Sequence, residues 1–229
     1  MKAATKRKAK PKIAEAPKVV KRGRKDAQSS RTSRDGLLQT AVELFAKFGF
    51  DGVSTGDIAA AAGYSQAIIH YHFGSKDQLW REALTFLMHD LDARFPLDKN
   101  ELRDLKPSDR LRVIVRRFIA LSHYNADLAS IMMRETLADS DRLKWLISRH
   151  FQKRVDFLDE TIKELIQAGE AKDIPSYLVT QNILTTASMM FCLAPMIKLV
   201  HGVDVNDKSQ GGAISDALLQ LFLTGLLKN

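Results

Sequence analysis

The side chains best suited to bind another molecule lie close together at the end of the first third of this 229-residue chain. They carry hydrogen-bonding, aromatic or cationic groups: Ser65, Gln66, His70, Tyr71, His72 and Lys76. Glutamine can form a bidentate pair with adenine, whereas Ser, Tyr, His and Lys side chains can reach phosphates. Because so many polar groups are unsuited to a core helix, some of them must face solvent. The chemistry that this segment predicts is recognition of double-stranded DNA.

Short helices must position these groups. Ser54 and Asp57 form a capping box that begins one helix, and Gly63 stands where that helix must end and turn. Ser65 can cap a second, very short helix, and Ser75 opens a longer one. A helix, a glycine turn and a short second helix are typical of a unit that places its second helix in the DNA major groove.

Residues 37–80 resemble the N-terminal domain of the TetR family of bacterial transcriptional regulators. The matching positions are Leu38, Ala41, Leu44, Phe45, Gly49, Phe50, Gly52, Ser54, Thr55, Ile58, Ala59, Ala62, Gly63, Ser65, Ile69, Tyr71, His72, Phe73, Ser75, Lys76 and Leu79. The resemblance implies an all-α homodimer whose first three helices bind DNA. It also implies that the C-terminal helices bind a small molecule, which usually releases the DNA.

We therefore expect DNA contacts from both helices of the motif and from the start of the next one. The candidate DNA-binding residues are Ser54, Thr55, Ser65, Gln66, Ala67, Ile68, His70, Tyr71, His72 and Lys76. Among these, Gln66 and Tyr71 are expected to read bases, with His70 or Ile68 as further candidates for base contact. The residues expected to hold phosphates are Thr55, Ser65, His72 and Lys76.

The positive charge of the chain is concentrated at its N-terminus. Residues 1–30 hold eleven Lys or Arg and two acidic residues, a net charge of +9, so the rest of the chain contributes −1 to the total of +8. We predict a disordered basic arm whose DNA-proximal cations are Lys21, Arg22, Arg24 and Lys25. A simple solubilising tail is the alternative interpretation of such a charge run.

Composition excludes several other classes of protein. The single cysteine, Cys192, rules out an intramolecular disulfide, and the charged N-terminus lacks the apolar stretch of a signal peptide. We expect a cytoplasmic, nucleoid-associated bacterial protein. The six histidines have neither a cysteine partner nor metal-ligand spacing, and no catalytic or phosphate-binding motif is evident. The sequence therefore predicts no metal, no cofactor and no enzymatic activity.

Helical periodicity continues along the rest of the chain, so we predict an all-α fold. The expected organisation is a basic arm (1–30), a three-helix helix-turn-helix DNA-binding domain (31–78) and a helical ligand-binding and dimerisation domain (79–229). A capping box from Thr32 to Asp35 should begin the first helix. The later predictions are helices at 75–95, 108–124, 126–137, 141–168, 175–200 and 213–227, with a polar connection at 97–107.

Two of these helices are apolar nearly all round. The segment at 183–200 lacks the charged flanks of a membrane span, so we expect it to be buried by the core on one face and by a partner subunit on the other, and kinked at Pro195. Together with the last helix it predicts a four-helix interface between two copies of the chain.

Methionine and aromatic side chains in the C-terminal helices predict a pliable apolar pocket for a small effector, although core packing is the ordinary interpretation of any single one of them. The candidate pocket residues are Phe118, His123, Met132, Met133, Trp145, Phe151, Thr186, Met190 and Phe191. His123, Arg134 and Thr186 could orient a polar end of the ligand.

The sequence thus predicts a homodimeric, sequence-specific DNA-binding regulator, a repressor that a largely apolar effector releases from a near-palindromic operator. The alternative is a general nucleic-acid-coating protein dominated by the basic arm. An enzyme that uses the C-terminal pocket is a third class, disfavoured because no nucleophile–base pair is visible.

Overall fold

The computed structural model describes residues 27–228, with side chains from residue 34 onward, and these residues form an all-α fold as predicted. The first four helices are α1 (Ala27–Gly52), α2 (Thr55–Ala61), α3 (Gln66–Phe73) and α4 (Lys76–Arg94). The following helices are α5 (Lys99–Arg103), α6 (Pro107–Tyr124), α7 (Asp127–Leu137), α8 (Asp141–Leu146), α9 (Gln152–Gln167), α10 (Ser176–Cys192), α11 (Ala194–His201) and α12 (Gly211–Leu226). A π-helical turn (Ile147–Phe151) joins α8 to α9, and a 3-10 turn (Lys208–Gln210) precedes α12.

The start of α1 differs from the sequence prediction. The helix begins at Ala27, so Thr32 lies inside it and is not its N-cap. No proline or glycine stands between Ala27 and Asp35, so nothing in the backbone chemistry stops the helix from extending upstream. Its end follows the prediction more closely, because Gly49 takes a left-handed φ of 77° that breaks the helical run.

One hydrophobic cluster packs the first four helices together. Trp80 of α4 is fully buried, and so are Phe45 of α1, Ile58 of α2 and Ile69 of α3 within about 1%. The same cluster takes in Leu128 and Ile131 of α7 and Leu146 of α8. The helix-turn-helix unit is therefore packed against two helices from much later in the chain.

A second hydrophobic cluster holds the C-terminal helices together. It joins the buried faces of α6, α9, α10 and α12, with Ile119, Ile162, Phe191 and Leu223 among its members. Arg110 of α6 and Glu164 of α9 form an ion pair of 2.9 Å at its edge.

Two connections differ from the predicted helix boundaries. The predicted polar connection at 97–107 contains α5, which Asp98 caps by accepting from the backbone N–H of Asn100. The predicted continuous helix at 141–168 is interrupted by the π-helical turn, which adds a residue to one turn and rotates the faces that follow it. Periodicity alone did not reveal this shift because both halves keep an apolar stripe.

The apolar segment at 183–200 is broken into α10 and α11, which meet at a bend of 70°. Pro195 lies in the first turn of α11, where its missing N–H has no helical partner to lose. Within one protomer this segment is only partly buried, since Met196, Leu199 and Val200 are 52%, 89% and 67% exposed, and the expected cover by a partner subunit stays a prediction. Between residues 27 and 228, only this bent pair has the combined length and apolar composition of a membrane span, and no single helix does.

Candidate nucleic-acid interface and ligand cavity

The turn between α2 and α3 is built by local backbone chemistry. The Ser54 hydroxyl accepts from the Asp57 N–H at 3.1 Å, and the Asp57 carboxylate accepts from the Ser54 N–H at 2.8 Å. This reciprocal capping box, as predicted, satisfies donors at the start of α2. Gly63 then adopts a φ of 79°, a left-handed conformation that costs a glycine little. The chain reverses there and begins α3 at Gln66 with Ser65 at the N-cap position, although the Ser65 side chain makes no capping bond.

Helix α3 has one buried face and one exposed face. Ile69 and Phe73 point into the first hydrophobic cluster, at 1% and 4% exposure. The opposite face is solvent-exposed and carries Ser65, Gln66, Ala67, His70 and Tyr71, with Ile68 and His72 at its edges. Tyr71 is 85% exposed and has the ring of His72 edge-on against it at 5.1 Å. Because its other side is buried, this short helix holds the polar and aromatic face in a fixed orientation toward solvent.

A side-chain contact between α2 and α3 orients the candidate base-reading glutamine. The Gln66 amide donates to the Thr55 hydroxyl at 3.0 Å, across the turn. Gly56 lies beside this contact, since a Cβ built there would come within 3.5 Å of the side-chain amide oxygen of Gln66, Oε1. His70 is held in a different way, with its Nδ1 3.2 Å from the Gly74 carbonyl.

Lys76 lies at the start of α4, where Ser75 caps the helix by accepting from the Gln78 N–H at 3.1 Å. The Lys76 ammonium lies 4.3 Å from the centre of the Phe50 ring, and the Arg142 guanidinium lies 3.7 Å from that same ring. Burial lowers the pKa of Lys76, and Arg142 lowers it further, against the opposing effects of Asp51 and Asp57. Two cations therefore share one aromatic ring next to the exposed face of α3.

This aromatic contact continues into the C-terminal helices. Arg142 of α8 pairs at 3.0 Å with Glu135 of α7, whose side chain is only 3% exposed. Ser140 donates to the same Glu135 carboxylate. A line of direct contacts thus runs from buried Glu135 through Arg142 and Phe50 to Lys76.

A cavity lies between α4, α6 and α9, with α10 closing one side. Its volume is about 80 Å³. The lining residues are mostly apolar: Met88, Asp92, Phe95, Leu97, Ile114, Val115, Arg117, Phe118, Leu121, Leu128, Phe151, Arg154, Val155, Leu158, Ile183 and Leu184. Apolar walls with a few charged groups are the ordinary make-up of a small-molecule site.

The cavity contains only two of the residues that the sequence assigned to a pocket, Phe118 and Phe151. Met132 and Trp145 pack instead against the first hydrophobic cluster, and Phe191 and Met190 belong to the second. Met133 and Thr186 are exposed to solvent. Because each of these helices has more than one apolar side, composition could not tell which side faces the cavity.

The polar residues expected to orient a ligand also lie elsewhere. The His123 ring packs against Phe191 at 5.1 Å and lies against Gly211, where a Cβ would come within 2.6 Å of the ring. Arg134 reaches in the opposite direction, to the carbonyls of Ala46 and Lys47 in α1.

The helices that carry the exposed polar face match a known family. The model of bacterial regulatory proteins of the tetR family matches residues 37–83, which run from α1 into α4. Residues 37–83 thus form a DNA-binding domain of the tetR family. Proteins of this family bind DNA at specific sequences and are typically non-enzymatic, and the matched segment contains the exposed face of α3.

Relatives of this chain span most of its length. The nucleoid occlusion factor SlmA of Salmonella paratyphi A is 25% identical over 175 residues, which are 76% of this chain and 85% of that protein. The ketosteroid transcriptional regulator KstR2 of Mycobacterium tuberculosis has a TM-score of 0.65 and 20% identity, with 86% of this chain and 95% of that chain covered. FadR from Bacillus subtilis, in complex with stearoyl-CoA, has a TM-score of 0.59 and 19% identity over 83% and 97% of the two chains. The two solved structures share the fold of this chain.

Sequence reasoning missed the charged residues of the cavity: Asp92, Arg117 and Arg154. One signal was available for Arg154, because it follows Phe151 at helical spacing and so breaks an otherwise apolar face with a cation. No such signal existed for Asp92, whose neighbours in α4 alternate between polar and apolar residues.

Two predictions concern features that the structure does not test. The arm cations Lys21, Arg22, Arg24 and Lys25 lie outside the described residues. Within residues 27–228 no group of three or more His, Cys, Asp or Glu side chains is placed to hold a metal ion.

Cys192 lies 3.6 Å from the Ser130 hydroxyl, and burial raises the pKa of its thiol, which favours the unreactive protonated form.

Proposed function

We propose that this chain is a homodimeric repressor of the TetR family that binds a near-palindromic operator and is released from it by a small, largely apolar effector. In this proposal residues 31–78 read the DNA, and residues 79–229 bind the effector and the partner protomer. The protein would reside with the nucleoid because its function is carried out on DNA.

The observation that carries the proposal is the two-faced construction of α3. Ile69 and Phe73 fix its orientation, so Gln66 and Tyr71 meet solvent at a defined angle. A helix held in this way can enter the major groove without first having to fold, and a glutamine at its first turn can reach base edges. Thr55, Lys76 and the arm cations would contact phosphates and fix the register.

Exposed apolar side chains on the C-terminal helices support the homodimer. Tyr177 of α10, Leu199 of α11 and Leu221 of α12 are 67%, 89% and 69% exposed. Large exposed apolar groups of this kind mark interaction surfaces, and a second copy of the chain would bury them in a two-fold arrangement. Two reading helices one duplex turn apart would then match a near-palindrome.

The position of the cavity supports release by an effector. Met88, Asp92 and Phe95 belong to α4 or its end and line the cavity, while the first half of α4 is buried against the reading unit. A ligand that binds better when α4 is displaced would favour a dimer with a different spacing between its two α3 helices.

Selection of binding sites from random duplexes tests the DNA-binding part of the proposal. We expect the full-length protein to enrich a two-half-site sequence, and the Gln66→Ala, Tyr71→Ala double variant to lose that preference while it stays folded. Gln167→Ala, at the exposed end of α9, is the control and should leave the enriched sequence unchanged. Enrichment of no sequence, with tight binding to all duplexes, would favour the alternative of a general nucleic-acid-coating protein.

A further inference from the structure

The cavity has a charge imbalance. Thirteen of its sixteen lining residues are apolar, so the other three, Asp92, Arg117 and Arg154, decide which polar group it can accept. Arg154 pairs with Asp92: one guanidinium nitrogen lies 2.6 Å and 2.7 Å from the two carboxylate oxygens. Arg117 forms no ion pair with any described residue and donates instead to the Pro96 carbonyl. The cavity is therefore left with one uncompensated positive charge.

Both arginines hold the same end of the same helix. Asp92 lies in the last turn of α4, and Pro96 follows directly after that helix. Arg154 reaches Asp92 from α9, while Arg117 reaches Pro96 from α6. The two cations that face the cavity are thus also the two that hold the C-terminal end of α4 to the rest of the C-terminal helices.

We propose that the effector is an amphipathic monoanion, an apolar body with one carboxylate-like head group, and that its head group binds Arg117 and Arg154 in place of Pro96 and Asp92. This inference rests on the proposed effector function of the cavity. A guanidinium forms its strongest hydrogen bonds with an anion, so a carboxylate competes well against the neutral Pro96 carbonyl. The head group and the Asp92 side chain are both carboxylates, so they compete for Arg154 as equivalent acceptors. The apolar body of the effector adds the free energy of burial against the cavity wall.

Replacing Asp92 by the head group at Arg154 costs the protein little free energy. The side chains of Arg154 and Asp92 are 38% and 46% exposed, so water can hydrate the Asp92 carboxylate once it is displaced. The arginines change partner without either cation being left unpaired. The end of α4 then loses both of its polar ties, and the free energy of anion binding favours the conformations in which α4 has moved.

The π-helical turn contributes to this arrangement. Phe151 is its last residue, and Arg154, Val155 and Leu158 follow on α9. Because a π turn rotates the face that comes after it, Phe151 and Arg154 line the cavity together. One irregular turn therefore positions both Phe151, which is part of the cavity wall, and Arg154, which is the proposed partner of the anionic head group.

Binding of matched probes to the full-length protein tests the inference. The probes are decanoate, 1-decanol and decylamine, which share an apolar chain and differ in head-group charge, and the dissociation constants are measured by calorimetry. We expect decanoate to bind about tenfold more tightly than 1-decanol or better, a difference typical of a charge-assisted hydrogen bond, and decylamine to bind most weakly. Equal binding of decanoate and 1-decanol would overturn the inference.

Three variants separate recognition from mere structural support. Arg117→Met and Arg154→Met should each weaken decanoate binding about tenfold and leave 1-decanol binding unchanged. Asp92→Asn should instead tighten decanoate binding, because it removes the competing carboxylate. Arg149→Met, an exposed cation in the π turn, is the control and should change neither ligand. Weaker decanoate binding by Asp92→Asn would show that the ion pair only supports the fold, and would overturn the exchange.

The probes distinguish an incorrect head-group inference from an incorrect assignment of the cavity as the effector site. If 1-decanol or decylamine binds tightest and releases the operator, the cavity remains the effector site and only the head-group inference is lost. If none of the probes binds or releases operator DNA, the result counts against both the anion and the cavity. Operator selectivity in the absence of probes is measured in parallel and reports on the DNA-binding function alone.

Discussion

Arg134 donates a hydrogen bond of 2.9 Å to the carbonyl of Ala46, near the C-terminal end of the helical run of α1. A second bond, of 2.8 Å, goes to the carbonyl of Lys47. Carbonyls at a helix end lack helical partners and carry partial negative charge, so a guanidinium stabilises them well. A side chain of α7 thereby completes the first helix of the DNA-binding unit, two residues before Gly49 breaks it.

Arg134→Met is expected to lower the free energy of unfolding by about 2 kcal/mol, since two hydrogen bonds from a charged group are lost at a partly exposed site. Operator affinity should fall as well, because the end of α1 is no longer fixed against α7. Denaturant unfolding and a gel shift measure the two effects. Arg103→Met, at an exposed position of α5, is the control, and equal stability of both variants would contradict a capping role for Arg134.

Lys76→Gln should reduce the salt dependence of operator binding. Each lysine that contacts a phosphate adds about 0.9 to the slope of log affinity against log salt concentration, so the slope should fall by about one per protomer. Titrations at several salt concentrations provide the measurement, with Lys208→Gln in the 3-10 turn before α12 as the matched control. An unchanged slope would mean that Lys76 serves only to cover the Phe50 ring.

Deletion of residues 1–26 should lower the salt slope further and leave the preferred operator sequence unchanged. All eleven N-terminal Lys and Arg residues lie before Ala27, so this cut removes the charge of the arm and leaves Ala27–Gly52 intact. The same salt titrations apply, together with site selection on random duplexes. If the slope stays the same, the arm is a solubilising tail.

Asp127→Asn should stabilise the protein at neutral pH. Burial raises the pKa of Asp127, and the nearby Glu43 raises it further. Because the folded-state pKa is above the unfolded one, ionisation costs the folded state free energy at pH values above both, and no such cost exists below the ordinary pKa of 3.8.

The free energy of unfolding of Asp127→Asn should therefore exceed that of the unmodified protein at pH 7, and the difference should shrink as the pH approaches 3.8. Urea titrations across this pH range measure it. Asp173→Asn, at an exposed position before α10, is the control. A gain in stability that is independent of pH would exclude ionisation of Asp127 as its cause.

Leu221→Glu should convert the proposed dimer into a monomer, because Leu221 is 69% exposed on α12 and a buried carboxylate there would lack a partner. Operator affinity should then fall by a factor on the order of 10² or more, since the two half-sites are no longer bound together. Sedimentation and gel shifts measure mass and affinity. Gln167→Glu adds the same charge on α9 and should alter neither; a Leu221→Glu protein that remains dimeric would place the interface elsewhere.

The DNA-binding unit was predictable because its signals are local. The capping box of Ser54 and Asp57, the left-handed Gly63 and the short segment from Ser65 to Phe73 each act within a few residues of chain. Alternation of buried and exposed side chains along α3 follows from helical geometry once Ile69 and Phe73 face the core.

The cavity was poorly predictable because its walls come from distant parts of the chain. Asp92 and Arg154 are 62 residues apart and meet only when α4 lies against α9. Trp145 and Met132 have the right composition for a pocket, yet they pack against the first hydrophobic cluster, because α7 and α8 lie against the first four helices.

The amino-acid sequence by itself determined the helices, the glycine turns and the polar face of α3, because hydrogen bonding and steric limits within a few residues decide them. The tertiary structure alone decided that Arg134 completes α1, that Arg142 shares the Phe50 ring with Lys76, and that Arg117 and Arg154 both hold the end of α4. These contacts join residues far apart in the chain, and their geometry exists only after the two hydrophobic clusters have packed.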